Sequence, residues 1–236
     1  MNMDEVDGEL GDFPTLAKFF VRPLKPGLRP IDPDPMTIVS PVDGLVASAG
    51  TIENGTFLQA PGKPSSIDTL LGTTEHDFDS GSYVVIYLSP QDYHRVHSPC
   101  AGEVSVLRYL PGRFWPVFSA AARRIKDLFA RNERLIFQLE SPFGTVVQAM
   151  IGAFGVGRIS TALHPLVTNT GTPAATHVLA PSPAIEKGTE LGRFELGSTV
   201  ILLLPPGALE RWTVGPGDRV WMGQSIAAIH SSTKSR

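Results

Sequence analysis

Glu195-Leu196-Gly197-Ser198-Thr199-Val200-Ile201-Leu202-Leu203-Leu204-Pro205 is a Gly-Ser-Thr corner that opens onto an unbroken apolar run and is closed by proline. A short apolar run bounded by glycine and proline reads as a strand covered on both faces. Such a strand needs partners along both edges, and the chain supplies candidates. Tyr83-Val84-Val85-Ile86-Tyr87-Leu88 is apolar and β-branched, and Ser89-Pro90 ends it by turning Gln91–His97 into a loop. Arg134–Leu139 and Thr145–Met150 flank Pro142-Phe143-Gly144, a hairpin signature.

Composition agrees with a strand-rich domain. Of 236 residues, 42% are hydrophobic and only 18% charged, while 23 glycines and 21 prolines supply many tight turns. A net charge of −3 gives no support for nucleic-acid binding. The single cysteine, Cys100, excludes an internal disulfide and a cysteine-rich zinc site. No apolar run approaches the ~20 residues that span a bilayer. The first residues lack the basic start and apolar centre of a signal peptide. The expectation is a cytoplasmic protein whose membrane contact, if any, is peripheral.

The chain divides into residues 1–35 and 36–236. Residues 1–12 carry Asp4, Glu5, Asp7, Glu9 and Asp12 and read as a disordered acidic tail. Phe13, Leu16, Ala17 and Phe20 have the spacing of one helical face, and Lys18, Arg22, Lys25 and Arg29 follow. That face either packs on the domain or rests on an anionic lipid surface. Prolines 23, 26, 30, 33 and 35 make the next stretch an extended strap. Ser119–Ala130, with its alanines and Arg123, Arg124 and Lys126, is the best internal helix. Ser40-Pro-Val-Asp-Gly-Leu-Val46 is echoed by Ser98-Pro-Cys-Ala-Gly-Glu-Val104, and Gly217–Ile226 has two glycine turns around a strand. These fragments resemble the flattened barrels of biotinyl and lipoyl carrier domains, although no lysine sits at a matching hairpin tip. The expected fold is mostly β (α+β): a single barrel-sandwich-hybrid-like catalytic domain, a short N-terminal amphipathic helix and one or two further helices.

Ser198 admits two readings. A serine before a buried strand commonly satisfies backbone groups. Alternatively it is a nucleophile aimed at the Gly197 carbonyl, which has no side chain beside it. Thr199 then adds a second hydroxyl, and Val200–Leu204 would hold a new chain start in the core. A hydroxyl nucleophile needs a base. Of six histidines, His94 and His97 stand three apart after a strand, beside Tyr93 and Arg95. No third ligand has convincing spacing, so no metal is expected. Asp43, in an Asp-Gly turn, is the best orienting carboxylate, and a pseudo-symmetric barrel would bring its turn near the one that follows His97. Its other reading is a plain turn initiator.

The ordered set of motifs resembles the phosphatidylserine decarboxylases, pyruvoyl enzymes made as self-cleaving proenzymes, over about residues 13–229. Phe19–Ile31, Ser40-Pro41-Val42-Asp43-Gly44, Leu58-Gln59-Ala60 with Gly62, and Leu70-Leu71-Gly72 come first. Leu88-Ser89-Pro90-Gln91-Asp92-Tyr93-His94-Arg95-Val96-His97-Ser98-Pro99 is the most specific match outside the Gly-Ser-Thr corner. Asn132-Glu133-Arg134, Gly152-Ala153, Val156-Gly157-Arg158-Ile159, Lys187-Gly188 and Leu191–Val200 complete the order.

The resemblance implies that Asp43, His97 and Ser198 form a self-cleavage set that cuts between Gly197 and Ser198. The products are a β chain, 1–197, and an α chain, 198–236, whose first residue becomes a pyruvoyl group. That group binds the substrate amine as a Schiff base and accepts electrons as carbon dioxide leaves. His94 is the candidate for substrate contact. The implied partner is a phospholipid at the cytoplasmic face of the cell membrane, converted from phosphatidylserine to phosphatidylethanolamine; a homodimer is left open. One departure stands out: many bacterial members carry Ser-Val-Asn where this chain has Pro116-Val117-Phe118. With Phe114 and Trp115 it adds apolar bulk beside Arg123, Arg124 and Lys126. Competing readings are a soluble pyruvoyl decarboxylase of a free amino acid or phosphoserine-like compound, a hydrolase using the uncleaved residues, and a non-enzymatic β module. The absence of a Gly-x-Ser-x-Gly elbow weighs against the hydrolase.

Overall fold

A computed structural model describes residues 3–154, 158–195 and 198–230. The Ser198–Leu204 strand is buried along its whole length. It lies between Ser82–Leu88 and Gly144–Ile151, antiparallel to both. Outward from these, the sheet continues on one side through Arg134–Ser141, Gly102–Leu110 and Ala175–Val178, and on the other through Gly44–Thr51 and Arg219–Val220. Smaller sheets join Ile159–Thr161, Glu190–Phe194 and Arg95–His97, and Thr37–Val39, Ser225–Ile229 and Leu209–Trp212. The protein is thus mostly β, with short helices at its margins. Its apolar central run is explained by cover on both faces rather than by parallel pairing.

The echoed segments are structural equivalents. Ser40 Oγ donates to the Val42 carbonyl and Ser98 Oγ to the Cys100 carbonyl, each at 2.6 Å. The two turns also clasp each other: Val39 N–H donates to Pro99 O (3.0 Å) and His97 N–H to Pro41 O (2.9 Å). Each receives a loop in the same way, Gly223 N–H on Ser40 O and Gly188 N–H on Ser98 O, both at 2.9 Å. The glycines that follow are required by close approach, because a Cβ would lie 2.7 Å from Tyr87 O at Gly44 and 2.5 Å from Glu140 O at Gly102.

Two expectations change. The acidic segment is seated on the domain: Val6 is buried and bridges Leu24, and Glu5 pairs with Arg29. Backbone bonds from Asp7 N–H to Pro23 O (3.1 Å) and from Lys25 N–H to Glu5 O (2.9 Å) complete the docking. The Ser119–Ala130 helix is broken into Ser119–Arg124 and Leu128–Arg131. Gln59 causes the break. Its amide donates to the Ala122 and Ile125 carbonyls, and its oxygen accepts from Leu128 N–H, replacing helical partners. Asp127 at the break has φ 51°, a left-handed conformation that aspartate tolerates better than most residues. The N-terminal helix is Leu16–Phe20, capped by Thr15, and only Phe20 of its apolar face is buried.

Candidate active site

The start of the Ser198–Leu204 strand meets the end of Ser82–Leu88, with Ser198 opposite Leu88 and Thr199 between Tyr87 and Ile151. Both hydroxyl residues are fully buried, and neither Oγ of Ser198 nor Oγ1 of Thr199 has a hydrogen-bond partner. A buried unsatisfied polar group costs about 1–3 kcal/mol. Two in succession make the strand start a candidate site. Gly197, the other half of the expected cleavage site, lies outside the described residues, as do Leu196 and Val156-Gly157.

His97 ends the Arg95–His97 strand with its ring largely buried. Its Nδ1 lies 2.8 Å from the Gly188 carbonyl and its Nε2 3.2 Å from the Tyr93 hydroxyl. A carbonyl only accepts, so the proton sits on Nδ1 and Nε2 offers its lone pair. Burial lowers the His97 pKa, offset in part by the Gly188 carbonyl and, more weakly, by the charges of Glu190 and Asp43. The ring is therefore a neutral base near pH 7. Burial also pushes Tyr93 up to about 12, so it stays a phenol.

Asp43 is 2% exposed. Its carboxylate accepts from Met222 N–H (2.8 Å) and from Arg29 Nε (2.9 Å) and Nη2 (2.6 Å). Burial alone would lower the Arg29 pKa; Asp43 and Glu5 outweigh that and keep it charged. The paired turns bring Asp43 and His97 into one neighbourhood, but no hydrogen bond joins Asp43 to His97 or His97 to Ser198. Asp43 acts on His97 here only through its field.

His94 is fully buried. Nδ1 lies 2.8 Å from the Asp92 carbonyl, which again places the proton there, and Nε2 is buried without a partner. Desolvation drives its pKa down to about 4. The Phe20 ring packs on it at 4.0 Å between centroids, and its own carbonyl accepts from Phe194 N–H. That bond ties His94 to the strand that leads into Ser198.

Three residues that sequence reasoning passed over build this site. Asp92 accepts from Ser89 N–H (2.7 Å) and Ser89 Oγ (2.9 Å), which fixes the turn before His94, and pairs with Arg219. Buried Arg22 donates to the Gln91 carbonyl and holds the strap on the same turn. Arg29 carries the Asp43 clamp. The aspartate three residues after Ser89 is a visible turn signal; nothing in sequence marks Arg22 as buried or the Arg29 side chain as nearly so.

A model of the phosphatidylserine decarboxylase family matches residues 16–228. The chain belongs to the phosphatidylserine decarboxylase family. It is 44% identical over 208 residues to a phosphatidylserine decarboxylase proenzyme of Myxococcus xanthus, covering 87% of this chain and 74% of that one. The Brevibacillus brevis proenzyme is 44% identical over 229 residues, 94% of this chain and 81% of its own. That of Anaeromyxobacter is 43% identical over 224 residues, 92% and 79%.

The family's Asn-Glu-Arg motif is a brace in this structure. Asn132 ties Trp115, through both N–H and carbonyl, to the Gly152 carbonyl. Glu133 accepts from Tyr109 (2.9 Å) and Thr168 (2.5 Å), joining the Gly102–Leu110 strand to the loop that carries Thr168. Arg134 donates to the Leu70, Thr69, Ala130 and Asn132 carbonyls, and burial brings its pKa down to about 10. Among the described residues no helix is long and apolar enough to cross a membrane, and no three His, Cys, Asp or Glu side chains form a group that would hold a metal.

Proposed function

We propose that the chain is a phosphatidylserine decarboxylase that matures by cutting its own Gly197–Ser198 bond, with Ser198 as nucleophile, His97 as base and Asp43 as supporting charge. The observation that supports this is the buried, unpartnered Ser198 hydroxyl at the strand start, with His94 and His97 also buried and held neutral by that burial. Forming a pyruvoyl group at position 198 removes this buried, unpartnered hydroxyl, and with it an unsatisfied donor.

In self-cleavage, Ser198 Oγ bonds to the Gly197 carbonyl carbon while its proton passes to His97 Nε2. Tyr93 first turns off that nitrogen. The imidazolium returns the proton to the departing Ser198 nitrogen as the C–N bond breaks, leaving an ester. Loss of the Ser198 α-proton then expels the Gly197 carboxylate, and water replaces the nitrogen, which leaves as ammonia. Asp43 contributes negative charge that favours the imidazolium, and Arg29 and Met222 hold the carboxylate in place.

When present, the pyruvoyl group supplies the electron sink for decarboxylation. His94 Nε2 has a free lone pair, suited to accept a hydrogen bond from the substrate, and its low basicity lets a proton held there pass readily to the α-carbon after carbon dioxide leaves. The substrate is phosphatidylserine presented at a membrane surface, which the protein meets peripherally on the cytoplasmic side. Denaturing mass spectrometry of freshly folded protein tests the first half: two fragments, the smaller starting with a pyruvoyl group, are expected. A chain that remains at 25.4 kDa refutes it. Release of carbon dioxide from phosphatidylserine liposomes, beside free serine and phosphoserine, tests the second. Turnover of the small compounds alone overturns the lipid assignment.

A further inference from the structure

Ser198 and Thr199 project to opposite faces of their strand, as neighbours in a strand must. Thr199 lines a separate cavity of about 110 Å³ whose walls include Val85, Val117, Ala122 and Phe129. Fully buried Thr199 and exposed Arg123 both line it. The Thr199 hydroxyl has no partner, although its residue is fully buried. The cavity thus joins largely apolar walls, interrupted by Gln59, Tyr87 and Ser119, to one unused donor and one cation, and Thr199 lies a strand rise of about 3.3 Å from residue 198.

The loop that forms part of the wall also carries the largest exposed side chains nearby. Phe118, next to Val117, is 48% exposed and Trp115 is 41% exposed. Asn132 fastens Trp115 to Gly152, and Phe154, two residues on, is 79% exposed. Exposed aromatics beside cations suit the boundary between headgroups and acyl chains. A volume of 110 Å³ matches roughly four water molecules. It holds an ester and a few methylenes and leaves the rest of a chain among those aromatics.

We infer that this cavity seats the glycerol-ester end of one acyl chain of the phospholipid substrate. Thr199 Oγ1 donates to the ester carbonyl and Arg123 faces the phosphodiester. The assignment rests on the decarboxylase reading and adds how the lipid is told from its bare headgroup. Each methylene buried is worth about fourfold in binding, so the acyl end contributes to selection of substrate.

The test compares kcat/KM for a short-chain diacyl phosphatidylserine, its diether analogue and glycerophosphoserine in one detergent. Mass spectrometry confirms self-cleavage of each variant. Ala122→Leu, which fills the cavity, is expected to lower the diacyl-to-glycerophosphoserine ratio about tenfold, the loss of one to two methylene sites. Thr199→Val, which keeps the shape, is expected to lower diester turnover about fivefold relative to diether, as for one lost hydrogen bond. Both ratios unchanged would overturn the inference. If Ala122→Leu fails to fold, the diester-to-diether ratio of Thr199→Val decides. Wild-type protein that turns over none of the three lipids would instead refute the decarboxylase reading.

Discussion

Arg29→Met removes the guanidinium that clamps Asp43 while keeping an apolar stem against Trp221, over which Arg29 lies at 4.7 Å. The clamp is buried, with 10% of the Arg29 side chain and 2% of that of Asp43 exposed. Removing one partner of such a pair costs about 3–5 kcal/mol, because the other charge is stranded. Met222 N–H still serves one Asp43 oxygen, and Glu5, the outer partner of Arg29, is 31% exposed and adds little. The expected loss is therefore about 3 kcal/mol, the lower end of that range. For a domain of this size each kcal/mol moves Tm by about 2–4 °C, so a fall of about 6–12 °C is expected. The measurement belongs in a Ser198→Ala background, where every chain is one polypeptide and a single cooperative transition can be interpreted. Asp43→Asn in the same background, alone and combined with Arg29→Met, completes a double-mutant cycle. A fall below about 2 °C, or losses that simply add, would refute the view that Arg29 holds Asp43.

His97→Ala should give one uncleaved band; cleavage at the wild-type rate would take the base role away from His97. His94→Ala should self-cleave but release carbon dioxide at least about a hundredfold more slowly, the usual scale of a lost proton-transfer group; normal turnover would remove it from the site. His94 also makes stability depend on pH. Its pKa falls from 6.5 to about 4 on folding, so its contribution is complete above about pH 6.5 and is lost progressively as pH drops toward 4. The swing is on the order of 3 kcal/mol, and a His94→Gln variant whose urea midpoint has the same pH dependence as the parent would contradict it. Ser198→Ala removes a buried unpartnered hydroxyl, so the uncleaved variant should resist urea at least as well as the trapped His97→Ala chain; a clear loss would mean that Ser198 has a structural partner.

The strands were legible because their signals are local. The buried run after Ser198, the hairpin at Pro142-Phe143-Gly144 and the paired Ser-Pro turns all follow from side-chain pattern and turn chemistry. What stayed hidden depends on contacts distant in sequence. Gln59 breaks a helix that every local preference supports, because its amide offers better partners from another strand. Val6 and Glu5 look like part of a solvated acidic stretch until Leu24 and Arg29 come across to meet them. In the candidate site, residue types pointed to Ser198 and to His94 and His97, but not to the hydrogen bonds of each ring. Those are set by the backbone carbonyls of Gly188 and Asp92, and a carbonyl's position leaves no trace in composition.

The paired turns explain why Asp43 and His97 meet at all. Each turn is closed by its serine, each donates across to the other's proline carbonyl, and each receives a glycine loop. The scaffold is repeated but the chemistry is not. The position matching Asp43 in the second turn is Ala101, and the position matching His97 before the first is Val39. Ala101 is exposed and Val39 lies in the core, so neither copy alone holds an acid beside a base. Because the two turns clasp across the repeat, the acid of one lies in the field of the base preceding the other. A rigid pair of backbone bonds then fixes a distance that no single loop would hold, and the strap can deliver Arg29 to Asp43 without disturbing His97.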